Sequence, residues 1–294
     1  MRRLVLIGPA LLLAGGLWAL ASGVDHDVAR WAAGWQRSFQ TALAGGLRAL
    51  RAGEPGALAG LSGLCFAYGF FHAVGPGHGK FLIGGYGVSQ SVPLLRLSVI
   101  SLLASLGQAV TAIVLVLTGV TLLGWTRSQM TGVAETVMLP ISALAIGLVG
   151  VWLAIRGAGK LWRVQFREDH GHSCGAGCGH RHGPSAEEIR EAGGLRDGLA
   201  LIGSIAIRPC SGAVLLLLLT WHMDILGAGI LGALAMSSGT AALTVLVAAG
   251  SVLLRRSTVF SLQGSAGVAV VLPVIEVLAG SAILWISLQI SGLF

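Results

Sequence analysis

Charge is scarce in this chain. Asp, Glu, Lys and Arg make up 11% of its 294 residues, 54% are hydrophobic and the mean hydropathy is +0.83. Soluble domains carry charge at about a quarter of their positions, so the composition argues against a soluble fold and makes the bilayer the solvent. Acids are rarer than bases, 12 against 19, and the apolar segments hold no acidic cage of the kind that calcium or magnesium needs. Four cysteines, Cys65, Cys174, Cys178 and Cys210, are divided between apolar segments and a polar loop, which leaves no basis for a structural disulfide. His-Glu-x-x-His is absent, and so is a recognisable pairing of nucleophile and base, which speaks against an enzyme. A phosphate loop around "GHGK" fails too, because Val74 stands where its leading glycine belongs and Phe81 follows Lys80.

What is present is long apolar runs. Crossing about 30 Å of hydrocarbon takes about 20 helical residues. Windows of that kind fall at Leu4–Ser22, Ala57–Ala73, Leu97–Leu123, Val133–Ile155, Leu199–Thr220, Leu226–Leu254 and Ala266–Ser291, seven in all. The formal charge of +7 is then no nucleic-acid footprint, since its bases sit between spans and set orientation. With the N-terminus in the cytoplasm, the outer segments hold Arg30, Arg37, Arg48, Arg51 and Arg127, five bases. The inner ones hold thirteen, and Arg208 falls within a span. That is a positive-inside bias.

The first span reads either as an anchor or as a signal peptide, with its basic start, apolar middle and small residues Ala19 and Ala21. After it, Trp31, Trp35, Phe39, Leu43, Leu47 and Leu50 recur at helical spacing among arginines, which predicts an amphipathic helix on the outer membrane surface.

A repeat organises the remainder. At an ungapped offset of 133 residues, Pro76 falls on Pro209, Gly79 on Gly212, Ser105 on Ser238, Thr111 on Thr244, Pro140 on Pro273, Gly147 on Gly280 and Trp152 on Trp285. Each unit contains three spans, an odd number, so the second copy enters the membrane from the opposite side. The expected fold is an all-α polytopic membrane protein with about seven transmembrane helices and two inverted three-helix repeats. The first span of each repeat carries a proline among small residues, "GPGHGK" and "RPCSGA", which breaks the helix. Exposed backbone at that depth is tolerated only where it lines a cavity, so the two breaks point to one central site. Divided accordingly, residues 1–23 are the anchor or signal segment and 24–56 an extracytoplasmic amphipathic segment. Residues 57–155 are the first repeat, 156–197 a cytoplasmic loop and 198–294 the second repeat.

His72 and His78, six apart, would face opposite ways on a continuous helix, and a break at Pro76 can bring them together. Imidazole suits nickel, cobalt, zinc and copper. Alternatively, the two histidines cap freed carbonyls. Lys80 is expected to snorkel toward the cytoplasm or to repel a departing cation. Cys210 and Ser211 offer soft and oxygen ligands, or else are small residues that let helices approach. Arg208 is costly in lipid and must face inward, toward freed carbonyls or a carboxylate. Glu276 reads as the one acid well inside a span, paired with Arg208 or exchanging a proton with the metal. Ser105, Gln108, Thr111, Ser237, Ser238, Thr240 and Thr244 form a polar stripe that glues helices or lines a path. In the loop, His170, His172, Cys174, Cys178, His180 and His182 lie within thirteen glycine-rich residues, a metal-collecting tract rather than a folded zinc finger.

Together, "FHAVGPGHGK", "CGHRHGPSAEEI" and "IRPCSGAVLLLL" closely resemble the NicO-type nickel/cobalt transporters, from about Trp35 to the C-terminus. The resemblance implies transport of Ni²⁺ or Co²⁺ across the bacterial inner membrane, often as efflux. It carries His72, His78, Lys80, Arg208, Pro209 and Cys210 over as signature residues. The short loop with two cysteines departs from the long histidine runs of some relatives. Expected partners are the divalent metal substrate and the lipid bilayer, with no resident cofactor and no nucleic acid, and a homo-oligomer is left open. The expectation is secondary efflux from the cytoplasm, with proton exchange as the coupling. The alternatives are an uptake permease and a membrane-anchored metal sensor or chaperone.

Overall fold

The computed structural model describes residues 24–75, 78–166, 194–261 and 267–291. The predicted first span and all six His/Cys positions of the loop lie outside the described residues. Those described are helical or lie in short connections. In chain order the helices are α1 (Val24–Arg51), α2 (Ala57–Val74), α3 (His78–Ser89), α4 (Leu94–Thr121) and α5 (Arg127–Val133). After α5 one π-helical turn (Ala134–Met138) leads into α6 (Leu139–Gln165). The second part has α7 (Leu195–Ala206), α8 (Ser211–His222), α9 (Leu226–Ser261) and α10 (Gly267–Ser291). Among the described residues five stretches are long and apolar enough to cross a membrane. They become six when α7 and α8, bent by 57° at their junction, count as one broken span.

Local chemistry sets the boundaries. Gly56 ahead of α2 takes φ +77°, a left-handed conformation that a side chain would strain. A capping box opens α5, where the Thr126 hydroxyl accepts from the Gln129 N–H and Gln129 Oε1 from the Thr126 N–H at 2.7 Å. The sequence between α2 and α3 and that between α7 and α8 each contain a proline from the repeat register, Pro76 and Pro209. The first broken span is thus two helices, α2 and α3, rather than one kinked rod. Helix α3, shifted by the 133-residue offset, coincides with α8 at both ends, His78 falling on Ser211 and Ser89 on His222.

Packing runs crosswise. Helices α2 and α3 pack on α9, α7 packs on α4, α8 packs on both α9 and α4, and the long helices α4 and α9 touch each other. Close approach is bought by glycine: a Cβ on Gly69 would lie 1.9 Å from the Met236 carbonyl oxygen, and one on Gly239 2.0 Å from that of Phe66. The α6–α10 pair is built likewise, with a Cβ on Gly280 falling 2.5 Å from the Gly150 oxygen. Small residues are the common means of bringing helices together where lipid supplies no hydrophobic drive between them.

Helix α1 forms as the spacing predicts, but much of its apolar stripe is spent on protein. Leu43 and Leu47 are buried in the core around α2, and Trp31, Trp35 and Phe39 gather on Phe71 at centroid separations of 5.4–5.7 Å. Trp31 and Trp35 stay 54% and 46% exposed, so α1 is a helix docked on α2 with only its aromatic end left for an apolar surface.

Candidate functional site at the two helix breaks

A cavity of about 200 Å³ lies where the breaks meet. His72 reaches it from the last turn of α2, Gly79 and Lys80 from the first turn of α3, and Arg208, Pro209, Cys210 and Ser211 from the α7–α8 junction. The long helices contribute Ser105 and Gln108 of α4 and Thr240 and Thr244 of α9, so part of the predicted polar stripe lines the space. His72 and Cys210, 138 positions apart in sequence, are brought together because α2 and α3 lie on α9 while α7 and α8 both reach α4.

Breaking a helix strands its last carbonyls, and unpaired polar groups away from water are costly. Each break has its own remedy. At the end of α2, Lys80 Nζ donates to the carbonyls of Val74 at 2.7 Å, Gly75 at 2.5 Å and Ala73 at 3.4 Å. Capping of three stranded acceptors is a role that the sequence reading, with Lys80 snorkelling toward the cytoplasm or repelling a departing cation, did not include. At the end of α7, the Thr111 hydroxyl donates to Ala206 at 2.7 Å and the Gln108 amide to Ile205 at 3.3 Å. Across on α2, Thr240 donates to the Gly69 carbonyl at 3.2 Å.

Within the cavity the His72 imidazole and the Cys210 thiol are direct electrostatic neighbours. Ser211 adjoins them as the first residue of α8. His78 is the first residue of α3, and its side chain lies outside the described part. Among the described residues no three of His, Cys, Asp and Glu gather closely enough to hold an ion. Arg208 has Cys210 and Glu135 as electrostatic neighbours.

Glu135 is a lining residue that sequence reasoning passed over. It sits on the π-helical turn, and among the described lining residues it is the sole carboxylate. The signal was an acid eight residues into the Arg127–Val164 apolar stretch, hidden by its nearness to the predicted edge of the span at Val133. Glu276 is also placed differently from expectation. Its carboxylate, 1% exposed, takes hydrogen bonds from Lys160 Nζ at 2.6 Å and Gln90 Nε2 at 2.7 Å, with Arg156 Nε at 3.6 Å. Those partners lie on α6 and just beyond α3, and Glu276 does not line the cavity. Pairing follows from the tight α6–α10 contact, which puts Lys160 and Arg156 opposite that turn of α10.

These features define a polytopic helical membrane protein with a polar cavity between two broken helices. Residues 58–174 match the NicO family, described as high-affinity nickel-transport protein. A protein of Haemophilus influenzae whose name describes a nickel/cobalt efflux system is 30% identical over 251 residues, covering 78% of this chain and 76% of its own length. The chain belongs to the NicO family of nickel/cobalt transporters. No solved structure matches it.

Proposed function

We propose that the protein exports Ni²⁺ or Co²⁺ from the cytoplasm across the bacterial inner membrane, through the cavity between the two breaks. The observation that carries this reading is the meeting of His72 from one signature with Cys210 from the other, inside one cavity. Imidazole nitrogen and thiolate sulfur are the donors that late first-row divalent ions prefer over magnesium or calcium. Ser211, beside Cys210, and His78, by its place in the first signature, are the candidates to extend the set, and Arg208 and Glu135 adjust the charge that an arriving dication meets.

The crosswise packing and the shared bounds of α3 and α8 support an inverted repeat, which provides alternating access around a fixed central site. Oriented by the positive-inside bias, the N-terminus and the 170–182 tract face the cytoplasm, where six His and Cys side chains would gather metal at the entrance for export. The relative's name supports the same direction. Exchange of protons for metal supplies the energy, with histidine as the titrating group.

Purified protein in vesicles with an internal metal-sensitive dye tests this. Wild type is expected to move Ni²⁺ and Co²⁺, and His72→Ala and Cys210→Ala to lose at least tenfold in rate, with magnesium not transported. Cells lacking other nickel exporters should accumulate less nickel when they carry the wild-type chain. Higher accumulation would reverse the direction, and full transport by both variants would remove the cavity from the route.

A further inference from the structure

We infer that Tyr68, held by Gln36 and Gln40 of α1, is a positioning residue for the His72–Cys210 pair, which makes α1 a working part of the transport site. The inference rests on the metal-binding reading above and adds a residue that acts through its neighbours.

Tyr68 is 0% exposed and lies one helical turn before His72. The two rings stack nearly parallel, with centroids 5.8 Å apart and planes 8° from each other, so the phenol restricts rotation of the imidazole. The other side of the ring is wedged into the first turn of α8. A Cβ on Gly212 would lie 2.3 Å from Tyr68 Cε1 and 2.5 Å from its Cζ and hydroxyl oxygen, so only glycine fits there. One side chain thus touches His72 at the end of α2 and the turn that begins just after Cys210.

Packing alone would be served by phenylalanine. The hydroxyl instead accepts from Gln36 Nε2 at 3.1 Å and Gln40 Nε2 at 3.3 Å, and it also interacts with the Ser211 side chain. Gln36 and Gln40 are four apart and therefore share a face of α1. Beside the ring, a void of about 30 Å³ bounded by Gln40, Leu43, Gly212 and Leu216 leaves the phenol room to shift. The hydrogen bonds from α1, rather than close packing on every side, fix where the ring stops. Displacing them turns the imidazole relative to the Cys210 sulfur and alters the ligand geometry, whose precision sets metal affinity.

The test uses the full chain in detergent, with Cys174→Ser and Cys178→Ser so that loop thiolates do not contribute, and Co²⁺ as the probe. Sulfur-to-cobalt charge-transfer absorption reports ligation by Cys210 and is expected to vanish in Cys210→Ser. Tyr68→Phe keeps the ring and removes the hydroxyl, and Gln36→Leu/Gln40→Leu keeps Tyr68 intact and guards against misfolding of the first variant. Both are expected to shift the band and to weaken Co²⁺ binding about five- to tenfold, the worth of one or two hydrogen bonds. In vesicles KM should rise by the same factor, with kcat within about twofold. An unchanged band and KM in both variants would overturn the positioning role while leaving the metal site standing. A band that survives Cys210→Ser would instead remove the metal site itself.

Discussion

Glu276→Gln removes one negative charge from the most deeply buried carboxylate among the described residues while keeping its size. The carboxylate is 1% exposed and meets Lys160 at 2.6 Å, Gln90 at 2.7 Å and Arg156 at 3.6 Å. Removing one member of a buried ion pair costs about 3–5 kcal/mol, because the partner charge is left uncompensated. The cations here are less confined than the acid, with Arg156 27% and Lys160 42% exposed, and both can turn toward water. The expected loss is therefore smaller, about 2–3 kcal/mol, or roughly 5–10 °C of Tm for a chain of this size. Thermal unfolding in detergent, followed by tryptophan fluorescence, measures it. Lys160→Met alone should cost about 1 kcal/mol. The double variant should lose less than the sum of the singles, since the charge orphaned by one change is removed by the other. An unchanged Tm in Glu276→Gln, or strict additivity, would refute the structural role. Loss of metal transport at unchanged Tm would return Glu276 to the transport path.

Other expectations test the packing and the cavity. Gly69→Ala and Gly239→Ala should each destabilise by about 2–3 kcal/mol, seen as a lower Tm, because the added carbon lands on backbone; Gly60→Ala, with open space around it, should be neutral or better. Thr111→Val should strand the Ala206 carbonyl and lower the Tm by a few degrees, for about 1–2 kcal/mol, while Thr121→Val on an exposed turn should not. In a background without the loop cysteines, Cys210 should react with a small water-soluble thiol reagent and be protected by Ni²⁺. Cys65, 0% exposed, should stay unlabelled by mass spectrometry.

Much of this architecture was readable before any coordinates. The apolar windows found α2, α4, α6, α9 and α10 because a bilayer demands about 20 apolar residues in a row, a constraint written along the chain. Proline and glycine marked both breaks, and the 133-residue register that pairs Pro76 with Pro209 also pairs the ends of α3 and α8. His72, Lys80, Arg208, Cys210 and Ser211, named from their types and spacing, all line the cavity. Partnership was not legible. The sequence offers Glu276 either Arg208 or a proton exchange with the metal, and the partners it has are Lys160, Arg156 and Gln90. Lys80 caps α2, and Gln36 and Gln40 reach Tyr68. Backbone propensity and hydropathy act over a turn or a span and so can be read from neighbouring residues. Which charge meets which, and which hydroxyl caps which stranded carbonyl, depends on how helices cross, and those crossings are set by glycine contacts between segments some 170 residues apart, such as Gly69 on Met236.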